Sequence, residues 1–114
     1  MDIIDFRAKF KDGDFILMGL NEHWLVIYSH LRDARDTDIG YPKHAIMYHA
    51  VANTNGSYIS IPDEVRPGIG YIEDYTQARL ATNEEISKFI SRMEASGKTW
   101  DFEHKTIANL IRAI

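Results

Sequence analysis

Two apolar runs, Phe15-Ile16-Leu17-Met18 and Trp24-Leu25-Val26-Ile27-Tyr28, dominate the first third of the chain. Each has the length of a strand, and each is apolar at consecutive positions instead of alternating. Such a strand asks for burial on both faces, as in a small barrel with a helix packed outside it. Phe10-Lys11-Asp12-Gly13-Asp14 precedes the first run, and its Asp-Gly pair supplies the positive φ of a tight turn. Gly19 to His23 read as a short polar link, and Arg32 to Gly40 as a charged loop.

A third run, Ala45 to Ala52, leads into Asn53-Thr54-Asn55-Gly56, and Asn-Gly between extended runs predicts a hairpin. With Asn55-Gly56 as the centre of a type I′ turn, Thr54 faces Ser57, Ala52 faces Ile59 and Ala50 faces Ile61. Strict alternation then puts Ile46, Tyr48, Ala50, Ala52, Ile59 and Ile61 on the core face. Met47, His49, Val51, Tyr58 and Ser60 fall on the other. Pro62 to Gly70 holds two prolines and two glycines and reads as a loop, with Tyr71 to Tyr75 as a fifth strand.

Thr82-Asn83-Glu84-Glu85 is a capping box, followed by Ile86, Phe89, Ile90 and Met93 at one helical stripe. The helix runs over about 83–96, with Gly97 as its left-handed stop. In the tail, the spacing of Ile107, Leu110, Ile111 and Ile114 fits a second helix starting near Asp101. The alternative is a strand through Thr99-Trp100-Asp101, a turn over Phe102 to Lys105, and a return at Thr106-Ile107.

The segment Ala81-Thr82-x-Glu84-Glu85, then Phe89, Met93 and Gly97-Lys98-x-Trp100-Asp101-x-Glu103-x-Lys105-x-Ile107, resembles a C-terminal module of small uncharacterised proteins from gut bacteria, their phages and mobile elements. Phe10, Gly13 and Asp14 match the Phe-x-x-Gly-Asp opening of a β unit found in many of them. The resemblance implies an accessory or phage-type protein, and a strand–turn–strand over Trp100 to Ile107. It transfers no activity and no site residue. Phe-x-x-Gly-Asp before an apolar strand also resembles the start of many SH3-like barrels, a likeness of fold and not of function.

The fold expected is therefore α+β: one domain over 1–114, β-rich over 1–76, with helix and tail over 82–114. Its sheet is five-stranded, antiparallel and strongly bent, or an SH3-like barrel, with the C-terminal helix packed on it.

The absence of cysteine excludes disulfides, thiolate zinc sites, thiol nucleophiles and iron–sulfur clusters. Thirteen Lys+Arg against 17 Asp+Glu give a net charge of −4, unfavourable for binding a phosphate backbone. The acidic N-terminus lacks the pattern of a signal peptide, and no apolar run approaches membrane-spanning length. A cytoplasmic protein is the expectation.

The five histidines (23, 30, 44, 49 and 104) show no i, i+4 pair, so no metal site and no cofactor is expected. Asp36-x-Asp38-x-Gly40 resembles the start of a calcium loop, but Met47 stands where a bidentate Glu is required. No nucleophile elbow and no phosphate-binding glycine loop occurs.

Two surfaces remain as candidates. Met47, His49 and Tyr58 point away from the expected core and form a candidate protein-interaction face, with burial under Trp100, Ile107 and Leu110 as the structural alternative. Arg7, Lys9 and Lys11 alternate along an expected extended segment and form a candidate nucleic-acid face. Six tyrosines lie in the β-rich part, which suits an interface but also ordinary strands. The reading these features favour is a non-enzymatic accessory protein acting through protein contacts or self-association. The alternatives are a nucleic-acid-binding small barrel and an enzyme with a site of scattered His and acidic residues.

Overall fold

The computed structural model describes residues 2–33 and 43–110, with the backbone alone at Ile69. The Asp36–Asp38–Gly40 segment lies outside the described residues, as does most of the charged loop.

The chain forms an α+β fold around one antiparallel sheet. Its strands are β1 (Phe15–Met18), β2 (Trp24–Arg32), β3 (Ala45–Asn53), β4 (Ile59–Ser60), β5 (Arg66–Tyr71) and β6 (Ala78–Leu80). The order across the sheet is β4-β3-β2-β1-β6, and β5 joins the outer edge of β3 beside β4. Among the described residues the two edges do not pair with each other, so the sheet is open. A separate hairpin, β7 (Lys98–Asp101) and β8 (Thr106–Asn109), settles the tail as strand–turn–strand.

Both faces of the sheet are covered, as the consecutive apolar runs require. Helix α1 (Ile3–Lys9) covers one face, where Phe6 and Phe10 meet Ile16, Met18, Val26, Tyr28, Ile46 and Ile72. Helix α2 (Asn83–Ala95) and the β7–β8 hairpin cover the other, where Phe89, Met93 and Trp100 meet Phe15, Leu17, Leu25, Ile27, Ala50 and Ala52. Successive residues of β1 and β2 thus enter different cores.

Helix α2 starts as its sequence demands. Thr82 Oγ1 accepts from the Glu85 N–H (3.2 Å), and Glu85 Oε1 accepts from the Thr82 N–H (2.8 Å). Gly97 follows its end with φ at 80°.

Four expectations are corrected. First, the N-terminal segment is helical, not extended: Asp2 caps it by accepting from Ile4 N–H at 2.7 Å, and the docked Phe6 ring holds it in place. Second, β5 takes residues 66–70 of the supposed loop together with Tyr71, and Pro67 faces Met47 on an outer edge that spares its missing N–H. Third, residues 72–74 make a 3₁₀ turn instead of a fifth strand, with Ile72 buried under α1's side of the sheet.

The fourth correction concerns side-chain facing. The Asn-Gly register holds, with Ala52 opposite Ile59 and Val51 opposite Ser60. Only Gly56 of the pair has positive φ, however, and its N–H bonds Asn53 C=O at 3.4 Å, so the turn is not type I′. Opposite β2, Ile27 pairs Ala50 but Tyr28 pairs Tyr48, leaving His49 as a bulge; an answering bulge at Ser29 restores the register at His30–Met47. A bulge inverts every facing beyond it. Ile46 and Tyr48 therefore join Val51 in the α1-side core, while Ala50 and Ala52 join the α2-side core.

Candidate functional site

The bulge dissolves the face expected from Met47, His49, Val51 and Tyr58. Val51 is buried. His49 turns toward the hairpin, its ring centroid 4.9 Å from that of Trp100 and its Nε2 2.7 Å from Asp12 Oδ1. Partial burial beneath the tail is thus the outcome for His49. Met47 is half-buried between β2 and β5. Only Tyr58 remains substantially exposed, at 49%.

The basic triplet is likewise dispersed. Arg7 and Lys9 lie about 200° apart around α1, at 100° per residue. The Arg7 guanidinium reaches Asp33 Oδ1 (3.3 Å), and Lys9 Nζ donates to Ala78 C=O (3.1 Å). Lys11 lies beyond the helix, its backbone N–H on Asp14 Oδ2. The Lys9 contact has a local use, because with Arg79 on Leu80 C=O it sets cations on the carbonyls of strand β6, which guards the edge against further pairing.

The histidines and carboxylates form separate pairs. His44 Nδ1 lies 2.5 Å from Glu73 Oε1, and the same carboxylate accepts from the His44 backbone N–H. Burial acts to raise the Glu73 pKa, but the hydrogen bonds from His44 outweigh it and the net shift is downward. His104 pairs with Asp101 at 2.8 Å in the hairpin turn, where bonds from the His104 backbone and ring lower the Asp101 pKa. Ser29 Oγ lies 2.9 Å from His30 Nδ1, yet no carboxylate orients His30 among the described residues. A nucleophile–base–acid sequence is therefore missing there. Nor do three metal-ligating side chains converge anywhere among the described residues.

The open concave surface that does bring chemistry together lies at one end of the sheet, on the α1 side. Helix α1 has seven residues and leaves the far part of that face bare. Trp24 opens β2, Tyr48 and Val51 come from β3, Tyr58 follows the Asn-Gly turn, and Gly68 lies in β5. Together they line a trough of about 340 Å³. The Trp24 and Tyr58 rings stand edge to face, 6.3 Å apart at 84°, and the His23 ring meets Trp24 in the same way, 4.7 Å away at 83°. Gly68 permits the close approach of Tyr48: a Cβ there would lie 1.8 Å from Tyr48 Cε1. Gly68 also borders a second depression, lined by Pro67, Ala45, Arg32 and Tyr71.

Two turns hold this end of the sheet. Thr54 N–H donates to His23 C=O (2.9 Å) and Thr54 Oγ1 to Glu22 C=O (3.0 Å), joining the β1–β2 link to the Asn-Gly turn. Arg92 of α2 donates to Asn53 C=O (2.8 Å) and Tyr58 C=O (2.7 Å). Within the link, Asn21 and Glu22 both take positive φ, at 56° and 52°. That conformation costs about 1–3 kcal/mol per residue. Glu22 is tied down by Arg79 Nε at 2.6 Å, and Leu20 is left 86% exposed.

Sequence reasoning reached Tyr58 and the surplus of tyrosines, of which Tyr48 and Tyr58 line this surface. It missed Trp24 and Gly68. Trp24 was hidden inside an apolar run, and the glycine reads as loop chemistry until β5 places it beneath a ring. Tyr28 and Tyr75 are absorbed differently: burial pushes the Tyr28 hydroxyl up to about 12 and raises that of Tyr75.

No family model, curated protein or solved structure matches this chain. No helix among the described residues is long and apolar enough to cross a membrane.

Proposed function

We propose that this chain is a small cytoplasmic accessory protein, of phage or mobile-element type, that acts through protein contacts made at the Trp24–Tyr48–Tyr58 trough. The observation that carries the reading is an aromatic-lined concavity left open on the α1 face of the sheet. Tyrosine and tryptophan bring large contact area with few rotors, which is why they anchor interfaces. Leu20, in the link that precedes Trp24, is a further exposed apolar side chain. The His–carboxylate pairs, by contrast, lie apart from one another, and in the depression that His49 shares with Asp63 and Glu64 the imidazole is already engaged by Asp12, which disfavours the catalytic reading. A likeness to SH3-type barrels remains part of this proposal as a use of the sheet, although the sheet is open.

The test is Tyr58→Asp. Its side chain is half exposed, so the variant keeps the circular dichroism of the parent. Affinity capture from the native host and light scattering across concentration then report partner binding and self-association. Loss of the captured partner or of the associated species supports the reading. A folded variant with an unchanged partner set and unchanged mass overturns it.

A further inference from the structure

The Asn-Gly turn between β3 and β4 carries chemistry as well as geometry. Asn55 alone among the asparagines precedes a glycine; Asn21, Asn53, Asn83 and Asn109 precede Glu, Thr, Glu and Leu. The backbone nitrogen after an asparagine can attack the side-chain amide carbon and close a cyclic imide. A side chain on that next residue obstructs the closure, and glycine has none. Asn55 and Gly56 are both exposed, and no atom lies within 4 Å of the place where a Gly56 Cβ would stand.

The hydrogen bonds of the turn fix how the Asn55 amide is presented. Ser57 N–H (2.9 Å) and Ser57 Oγ (2.8 Å) both donate to Asn55 Oδ1. An N–H requires the amide oxygen as its acceptor, so the amide orientation is set, and Nδ2 makes no hydrogen bond to any described residue. The Ser57 hydroxyl is oriented in its turn. Buried Asn53 donates Nδ2 to Ser57 Oγ at 2.6 Å, which leaves the hydroxyl proton for Asn55, and Asn53 Oδ1 accepts from Tyr58 N–H at 2.9 Å. Both Ser57 donors thus stand within bonding reach of the oxygen on which negative charge develops when the amide carbon is attacked. The attacking nitrogen is weakly restrained, because the bond from Gly56 N–H to Asn53 C=O is long, at 3.4 Å.

We propose that Asn55 is a self-modifying site, assisted by the Ser57 hydroxyl. The Gly56 nitrogen gives up its proton and bonds to Asn55 Cγ. The Cγ–Nδ2 bond breaks, and the amide nitrogen leaves with that proton as ammonia. Water then opens the imide at either carbonyl, giving aspartate or isoaspartate at position 55, so that in sum one water enters and one ammonia departs. The aspartate form keeps the backbone, and its new charge lies at a depression that Lys88 and Arg92 also line. The isoaspartate form adds a methylene to the main chain of the turn. It strains the bonds of Thr54 to the His23 and Glu22 carbonyls and the hold of Arg92 on the carbonyls of Asn53 and Tyr58. The end of the sheet that carries Tyr58 is loosened as a result. None of this depends on what the trough binds.

The experiment ages the whole protein in neutral and in mildly alkaline buffer. Peptide mass spectrometry then follows it, with fragmentation that separates isoaspartate from aspartate. The expected result is replacement of NH₂ by OH at position 55 and not at the other asparagines. Isoaspartate should exceed aspartate, and the reaction should run faster in the alkaline buffer. Hydrogen exchange at the Tyr58 amide should rise in the aged protein. Ser57→Ala keeps the backbone donor and loses the hydroxyl, so it should react about threefold more slowly, a modest effect because the turn is open to water. Ser57→Thr should react at the parent's rate, and circular dichroism checks that both variants are folded. The site and its products are read in the parent itself, so the test does not hang on either variant. An Asn55 that stays intact, aspartate without isoaspartate, or reaction spread evenly over the asparagines would overturn the proposal. A folded Ser57→Ala that reacts as fast as the parent, or faster, would overturn the part given to the hydroxyl.

Discussion

Replacing Gly68 by alanine probes the trough where its geometry is tightest. Gly68 does not have positive φ, so its backbone conformation suits alanine. At such a site Gly→Ala ordinarily stabilises by about 0.4–1 kcal/mol, through the entropy of the unfolded chain. The packing reverses that sign. The new Cβ would sit 1.8 Å from Tyr48 Cε1 and 2.7 Å from Cδ1 and Cζ, where ordinary contact begins at 3.4 Å. The ring, 6% exposed and packed in the α1-side core, cannot swing away without disturbing its neighbours. Overpacking of this kind costs about 1–3 kcal/mol. A loss of about 2 kcal/mol moves the urea midpoint by about 1 M at a slope of about 2 kcal/mol/M. The assay is urea unfolding followed by circular dichroism for the parent, Gly68→Ala, Tyr48→Ala and the double variant. Once Tyr48 is alanine, Gly68→Ala should be neutral or slightly stabilising, which isolates the pairwise clash. A single variant as stable as the parent, or the same loss in both backgrounds, would refute the reasoning.

Phe6→Ala should destabilise by about 3–5 kcal/mol, because the ring is fully buried between Phe10 and Tyr28 and is the main anchor of α1; a urea midpoint near that of the parent would show that the helix does not dock. Glu85 accepts both arms of the Arg79 fork (2.9 and 3.0 Å) and, against the cost of burial, these bonds and those of Thr82 hold its carboxyl down to about 2 from the ordinary 4.5. A depressed carboxylate stabilises fully above its unfolded-state value, so this contribution is present above about pH 4.5 and fades as pH falls toward about 2. Glu85→Gln should flatten the acid limb of the thermal-melt profile in that window, and a profile that superimposes on the parent's would count against the fork.

Helix α2 and strands β1 and β2 were legible because their signals are local. A capping box and a four-residue stripe define the helix without outside help, and unbroken apolar runs can only mean burial on two sides. The Asn-Gly register was legible for the same reason. Tertiary structure decided the rest. Seven residues are too few to hold a helix in water, so α1 exists because Phe6 and Phe10 have a sheet face to enter. β5 exists because β3 offers an outer edge on which a proline leaves no inward bond unmade. The bulge at His49 arises between two strands, and the alternation read along one strand cannot contain it. That extra residue moved Ile46 and Tyr48 to the face opposite Ala50 and Ala52, where Val51 already pointed. It also brought Tyr48 over Gly68 and set His49 against Trp100. The trough is a product of strand pairing, and its residues are spread from Trp24 to Gly68, a separation that no local pattern spans.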